Sequence, residues 1–513
     1  MTALLVFYVI YAISAFKDYQ YLINPDGISY FDIARLWHAG KFWDAINPYW
    51  GPFLSWTMVP FLSLGVKPLL AAKIVNLAVG SGVLVGFYFL LRRYAAQWVT
   101  MVMTVTLVPL VFSWTLGGYV TPDLWLTFFL LWYVFVVTST KFGRTWWAAP
   151  LAGALAGLAY LAKSYALPFF LVHFTVYTGW KAWRQVAWRW TWEKQFLLGM
   201  AGFFVVAVPW IAAISLKHHK LTYGTSGSYT LALVSLGPGR HPVLTGGLIA
   251  PPPGGTSAWM DPQVPNVPSV LPQLFPRPHN FNMARDQIST NFGVLFQLLT
   301  AFWPLALGAL AAALALAYRR GGDLSADGHA MVRFAAFTML IFVAGYLLIF
   351  LEDRYLWFVE LLVLLLGGMV ISLCWKDKKF ARLVAPALVV LTFYTLTLQT
   401  GDVMKQRKGA NGDIPVVARQ ISNLPGWKCS SLASNGYWEI TTYLAYYLGC
   451  PYYGMFGPYD VTKSQDQLTK YRVQYVFLWK TGDKKRDAVP EHFKEVGTIP
   501  QEHIKILKFE PES

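Results

Sequence analysis

Apolar residues in this chain neither alternate, as in a half-buried strand, nor keep to one stripe of a helix; they come in unbroken runs. Leu69–Leu91, Phe196–Leu216, Met331–Leu351 and Leu356–Cys374 each supply the roughly 20 residues that a helix needs to cross hydrocarbon. Strands of an outer-membrane barrel alternate over about ten residues, so runs of this kind predict spanning helices instead. Thr2–Phe16 is apolar too. It has no basic residue ahead of it and no small-residue cleavage site behind, and it reads as a retained first helix.

Basic residues set the direction of each span, because Lys and Arg collect in cytoplasmic loops. After the first helix, spans are expected over Leu69–Leu91, Val99–Leu116, Leu124–Thr138, a stretch ending near Lys163, Tyr165–Trp180 and Phe196–Leu216. Four more follow over Phe292–Tyr318, Met331–Leu351, Leu356–Cys374 and Val384–Leu398, giving a polytopic α-helical membrane protein of about 11 helices. Arg92-Arg93, Lys141 with Arg144, the Trp-rich stretch Lys181–Lys194, Arg319-Arg320 and Lys376–Arg382 fall on every second connection. That pattern puts three regions on one outer side: residues 17–67, residues 217–290, and the tail from Asp402.

Composition agrees. Charged residues make up 13% of the chain and hydrophobic ones 56%, where a soluble domain carries about 25% charged. The net charge of +16 is read through loop placement and implies no nucleic-acid partner. The 217–290 loop holds eleven prolines between Pro238 and Pro278, and reads equally as an extended connector or as a lid over a site. Residues 1–401 thus form a membrane module. Residues 402–513 are charged on both signs and predict a small α/β unit, with strands at Cys429–Ala433, Arg472–Trp479 and His503–Phe509 and a helix at Tyr437–Leu448. Cys429 and Cys450 can pair in an oxidising compartment; two separate thiols are the other reading.

In so apolar a chain the ionisable residues at helix ends are the informative ones, since charge in a membrane is costly and tends to mark function. Asp26 lies in Asn24-Pro25-Asp26-Gly27, ahead of an amphipathic stretch that would lie along the membrane surface, and would also serve as the N-cap of that helix. Asp123 opens the fourth helix, where capping is again the plain reading. Lys163 interrupts the apolar stretch Ala148–Val176 and could simply snorkel. Glu352-Asp353-Arg354-Tyr355 joins the ninth and tenth helices, where Arg354 could pair only with its neighbours. Taken together, two carboxylates and two cations share one outer surface. A carboxylate accepts a proton from a hydroxyl, and Lys and Arg hold a departing phosphate. This set suits transfer of a sugar from a phosphate-linked lipid to a hydroxyl.

The order of these motifs resembles the GT-C superfamily of membrane glycosyltransferases, among them the protein O-mannosyltransferases and the lipid A aminoarabinose transferase. NPDGISY follows the first helix, NPYWGP stands where the family often has a His-Pro-Pro-type segment, and TPDLW opens the fourth helix. LAKSYALP is similar to the family's Thr-Lys-Gly stretch, and EDRYLWFVELL to its Arg-Tyr-Leu-Leu-Pro segment. NPYWGP lacks the family's His, Ser164 replaces its Gly, and EDRYLWFVE lacks its Pro, which leaves the donor sugar open. The resemblance implies Asp26 as general base, Asp123 as a second catalytic acidic residue at the acceptor or sugar site, and Lys163, Arg354 and Tyr355 as donor-phosphate binders. It also implies an inverting enzyme that uses a polyprenyl-phosphate sugar as co-substrate and needs no cofactor or metal. The acceptor would be a hydroxyl on protein, glycan or lipid, at the extracytoplasmic face of a bacterial cytoplasmic membrane. A transporter or flippase for lipid-linked glycans is the rival reading, although such proteins usually carry internal repeats and helices broken near the midplane. A non-catalytic assembly protein is another.

Overall fold

The computed structural model describes residues 1–513 apart from 185–188, 235–245, 262–277, 319–324, 377–378, 457–460, 485 and 511–513. Arg319-Arg320, Lys378 and most prolines of the long loop lie outside the described residues. The chain opens with α1 (Thr2–Tyr19) and passes through α2 (Pro25–His38), α3 (Phe42–Ala45) and α4 (Pro52–Ser63). It then enters α5 (Pro68–Arg92), α6 (Gln97–Trp114), α7 (Asp123–Val137), α8 (Ala148–Ala162), α9 (Ala166–Arg184) and α10 (Arg189–Lys217). After α11 (Ser226–Val234) come α12 (Pro278–Phe302), α13 (Ala306–Tyr318), α14 (Ala326–Leu347), α15 (Asp353–Lys376) and α16 (Lys379–Arg407).

Among the described residues seven helices, α1, α5, α6, α10, α14, α15 and α16, are long and apolar enough to cross a membrane. The chain is a multi-pass membrane protein. The pair α12–α13 makes an eighth span if counted as one, but it is bent by 98°, where a single helix over Phe292–Tyr318 is expected from the sequence. The break falls at Trp303-Pro304-Leu305, since proline lacks an N–H and its ring collides with the preceding turn. Helices α7 and α8 are apolar but have only 15 residues each. Each therefore rises about 22 Å, less than the roughly 30 Å of a hydrocarbon core.

Burial sorts the helices. The central α15 is buried along nearly its whole length, whereas α1, α10 and α16 turn Phe7, Ile10, Ile13, Val205, Leu383 and Val390 outward, as lipid-facing helices do. Helices α8 and α10 touch through glycine. A Cβ on Gly153 would stand 1.9 Å from the Gly199 carbonyl oxygen, so only glycine lets the two backbones come this close.

The tail carries α17 (Ile414–Ser422), β1 (Leu432–Ser434), α18 (Trp438–Leu448), β2 (Tyr452–Met455), α19 (Val461–Lys470), β3 (Tyr475–Trp479), β4 (Phe493–Ile499) and β5 (Ile504–Phe509). The five-stranded sheet runs β2-β1-β3-β5-β4. Strand β1 pairs in parallel with β2 and β3, and the crossovers that parallel pairs require are supplied by α18 and α19. Strand β5 runs antiparallel to β3 and β4. Cys429 and Cys450 are joined in a disulfide, with Cα atoms 5.5 Å apart. The tail does not close its core alone. Ile28, Phe31 and Leu36 of α2 share one hydrophobic cluster with Leu432, Tyr446 and Ile506. The described end of the long loop runs beside β2: Gly247 N–H donates to Met455 O at 2.6 Å, Ile249 N–H to Tyr453 O at 2.8 Å, and Tyr452 N–H to Thr256 O at 2.7 Å.

Candidate active site

Residue by residue, the sequence brings charge to the point where α2, α7, α8 and α15 begin or end. Asn24 stands at the N-cap of α2, Pro25 fills the first helical position, where an N–H is not needed, and Asp26 follows in the first turn. Asp26 is therefore not a cap. The Asn24 side chain turns away too, with its Oδ1 accepting from the Val120 N–H at 3.0 Å, which ties the start of α2 to the segment before α7. The Asp26 carboxylate accepts from Arg354 Nη1 at 3.0 Å and from Trp259 Nε1 at 3.0 Å.

Asp123 is the first residue of α7, behind Pro122, and caps nothing either. Its side chain is 2% exposed. Lys163 Nζ donates to Asp123 Oδ1 at 2.5 Å, and Arg354 Nε lies 3.9 Å from Asp123 Oδ2. The positive end of α7 adds to the stabilisation of this carboxylate. Lys163 does not snorkel, because it sits in extended backbone at the break between α8 and α9 and its ammonium lies 3.7 Å from the centroid of the Tyr355 ring. Arg354, in the first turn of α15, also donates to Glu352 at 2.5 Å, and so reaches three carboxylates from one guanidinium. The structure thus brings Asp26, Asp123, Lys163, Arg354 and Tyr355 together. Cys429 and Cys450 belong to the tail, away from this cluster. Among the described residues no group of three His, Cys, Asp or Glu is arranged as a metal ligand set.

Two segments brace the cluster. In NPYWGP, a Cβ on Gly51 would stand 2.3 Å from the Ala162 carbonyl oxygen, so the segment lies flat against the last turn before Lys163. Asn47 accepts from the Tyr49 and Trp50 N–H groups at 2.8 and 3.0 Å and donates to Met260 O at 2.8 Å, which fastens the long loop to the same spot. The second brace is Asp32 of α2. It accepts from the Thr256 N–H at 2.6 Å, the Thr256 hydroxyl at 3.0 Å and Arg35 at 3.1 Å. Burial pushes its carboxyl up to about 6, against the opposing pull of Arg35 and Thr256. The loop therefore lies over the site and delivers Trp259 to Asp26. Trp438 of α18 meets the Trp259 ring at 5.7 Å. Next to it, the Glu439 carboxyl is raised by partial burial and then by the negative charge of Asp26. Nothing local in the sequence singles out Trp259 or Glu439; the only signal was the unusual length of the loop.

The chain shares its fold with solved structures of ArnT and of an archaeal oligosaccharyltransferase. Among solved structures, ArnT from Cupriavidus metallidurans bound to undecaprenyl phosphate matches at a TM-score of 0.58 and 14% identity, covering 100% of both chains. The apo oligosaccharyltransferase of Archaeoglobus fulgidus matches at a TM-score of 0.58 and 11% identity, over 93% of this chain and 69% of that one. The Archaeoglobus fulgidus oligosaccharyltransferase AglB in complex with an inhibitory peptide and a dolichol-phosphate matches at 0.55 and 11% identity. The chain covers 65% of that protein's length, and 88% of this chain is matched. At these identities the likeness concerns the fold. No protein-family model and no curated protein matches the sequence.

Proposed function

We propose that this protein is an inverting glycosyltransferase that moves a sugar from a polyprenyl-phosphate carrier to a hydroxyl acceptor. Asp26 is the general base, and Lys163, Arg354 and Tyr355 hold the donor phosphate. The observation that carries this reading is convergence. Asp26, Asp123, Lys163 and Arg354 come from four separate elements, Asp26 and Arg354 lie 328 positions apart, and all four meet in one ion-paired cluster.

A donor phosphate offers oxygens to the same N–H groups that the carboxylates occupy, with Arg354 presenting a planar fork and Lys163 a point charge. Its arrival loosens the Asp26–Arg354 pair and leaves Asp26 oriented by Trp259. The acceptor oxygen then attacks the anomeric carbon from the face opposite the phosphate as its proton passes to Asp26. The bond from that carbon to the phosphate oxygen breaks, its electron pair stays on the phosphate, and the configuration inverts. Asp123 keeps Lys163 aimed at the phosphate. The chemistry as written uses neither metal nor cofactor. The undecaprenyl phosphate and dolichol-phosphate in two structures of the same fold support a polyprenyl-phosphate carrier.

Sidedness is part of the same proposal. Arg92, Arg93, Lys141, Arg144, Lys181 and Arg184 gather at the ends of α5, α7, α8 and α9 remote from the cluster, which supports a cytoplasmic assignment for that face. The cluster and residues 402–513 are then extracytoplasmic, in a bacterial inner membrane. The test is release of free polyprenyl phosphate, followed by mass spectrometry, from a panel of polyprenyl-phosphate sugars given to the purified protein with a mixture of acceptors. Release from one donor, lost in Asp26→Asn, supports the transferase and names its sugar. No release from any donor would shift the reading to transport or assembly.

A further inference from the structure

Helices α7, α8 and α9 each run from the charged cluster to the opposite end of the bundle, and there they wall a cavity of about 1980 Å³. Six cations line it: Arg93, Lys141, Arg144, Lys181, Arg184 and Arg333. Asp327 is the single carboxylate among the lining residues. Among the described residues none of the six cations is held in an ion pair, so the positive charge there is not neutralised from within. Several of them are nonetheless fixed in place. Arg93 donates to the Phe135 carbonyl oxygen at 2.7 Å and lies 3.5 Å over that residue's ring. Lys181 stands 5.6 to 5.7 Å from the ring centroids of Tyr177, Trp180 and Trp192. Lys141 and Arg184 lie similarly over Trp147 and Trp180, at 5.7 and 5.6 Å.

The cavity is not basic throughout. Below the cations its wall continues along α7, α8, α9 and α14 through Phe128, Trp132, Leu155, Val176 and Phe337, toward the middle of the bundle. A soluble anion would gain nothing from that apolar wall. An amphiphile with a negative head and hydrocarbon tails would use both parts, and tryptophans beside cations suit the level at which head groups meet acyl chains. Because α7 and α8 are about 22 Å long, shorter than the hydrocarbon core, the mouth lies at a depth that a tail can reach from the bilayer.

We propose that this cavity is a binding site for an anionic phospholipid, with its phosphate held by Lys181, Arg184 and Arg333 and an acyl chain laid along Trp132, Leu155 and Val176. The site is separate from the donor cluster and does not depend on the transferase reading. Each cation close to an anionic head group contributes about fivefold in binding.

The test is native mass spectrometry of the full chain in detergent with phosphatidylglycerol, phosphatidylcholine or inorganic phosphate added in turn. The wild type should retain phosphatidylglycerol at least about tenfold better than phosphatidylcholine. The Lys181→Gln/Arg333→Gln variant should lose most of that preference. Leu155→Trp, which fills the apolar wall and keeps every charge, should lose the retained lipid as well, and it decides the matter if the charge variant does not fold. Equal retention of the two lipids by the wild type overturns the proposal. So does a preference that survives in Leu155→Trp or in the charge variant. Displacement of phosphatidylglycerol by inorganic phosphate at equal concentration overturns the lipid assignment in favour of a soluble phosphate ligand.

Discussion

The two ends of α7, α8 and α9 treat charge in opposite ways. At the end where α7 begins, Lys163 and Arg354 are matched to Asp26, Asp123 and Glu352 at distances of 2.5 to 3.9 Å, and the side chains of the Lys163–Asp123 pair are only 20% and 2% exposed. At the other end, six cations face one carboxylate around an open cavity. Depth explains the difference. A charge taken out of water must find its partner inside the protein, because an unpaired buried ion costs several kcal/mol. A cation at the head-group level can take its partner from the membrane. On the proposed reading, the paired end is built in advance for an anion that must displace carboxylates to bind. The unpaired end takes its counter-charge from outside.

The sharpest way to break the paired end is Asp26→Asn. It keeps the shape and an acceptor oxygen but removes the proposed base, so kcat should fall by about 10³-fold, within the usual range for general-base catalysis. Donor binding, read by retention of polyprenyl phosphate on the protein, should stay within a few-fold of wild type. Transfer at the wild-type rate would sink the assignment of Asp26. Lys163→Ala acts differently. It leaves the buried Asp123 carboxylate without its main partner, which costs roughly 3 kcal/mol of stability, and it weakens donor binding. Asp123→Asn in the same chain should restore much of the lost stability and none of the donor affinity. If the double variant is no more stable than Lys163→Ala, the pair does not carry the stability ascribed to it.

How much of this was legible beforehand follows from the same contrast. Asp26, Asp123, Lys163 and Arg354 stood out because each interrupts or borders an apolar run, and a membrane makes such residues conspicuous. Their pairing across the chain was not legible, since Asp26 and Arg354 are joined only by tertiary structure. Trp259 was hidden for another reason: it is one of 23 tryptophans, in a proline-rich loop with no periodicity to say which side chain turns inward. The bend at Pro304 was masked by the apolar residues on both sides, which made one continuous run of two helices. In the tail, β3 was readable as an unbroken apolar stretch. Strand β2 is only four residues long and reads Tyr-Tyr-Gly-Met, with no polar and apolar alternation in its sequence, and β4 is irregular between Glu495 and Gly497.

Trp259→Phe sharpens the role of the loop. It keeps an aromatic ring beside Trp438 and removes the N–H that Asp26 accepts, together with part of the indole surface. A hydrogen bond to a charged group is worth about 1.5–3 kcal/mol. If that bond orients the base, kcat should fall about tenfold with KM for the donor little changed. A change confined to KM would mean that the loop shapes the donor pocket rather than the base.

The smallest expected effect tests the brace beneath the loop. Asp32 has an ordinary carboxyl value of 3.8, raised to about 6 in the folded protein. Between these values the folded state binds the proton more tightly than the unfolded state, so Asp32 favours folding most below pH 4. That contribution is lost as pH rises through about 6, and above it the ionised carboxylate remains buried at a cost. The full shift would amount to about 3 kcal/mol, and relaxation around Thr256 and Arg35 should leave on the order of 1 kcal/mol. Thermal unfolding in detergent at pH 4.5 and 7 should therefore show a larger fall in midpoint for the wild type than for Asp32→Asn, which has nothing to ionise there. The comparison cancels every other titrating group common to both proteins. An identical pH slope in the two would mean that Asp32 stays ionised throughout and that Thr256 and Arg35 compensate its burial in full.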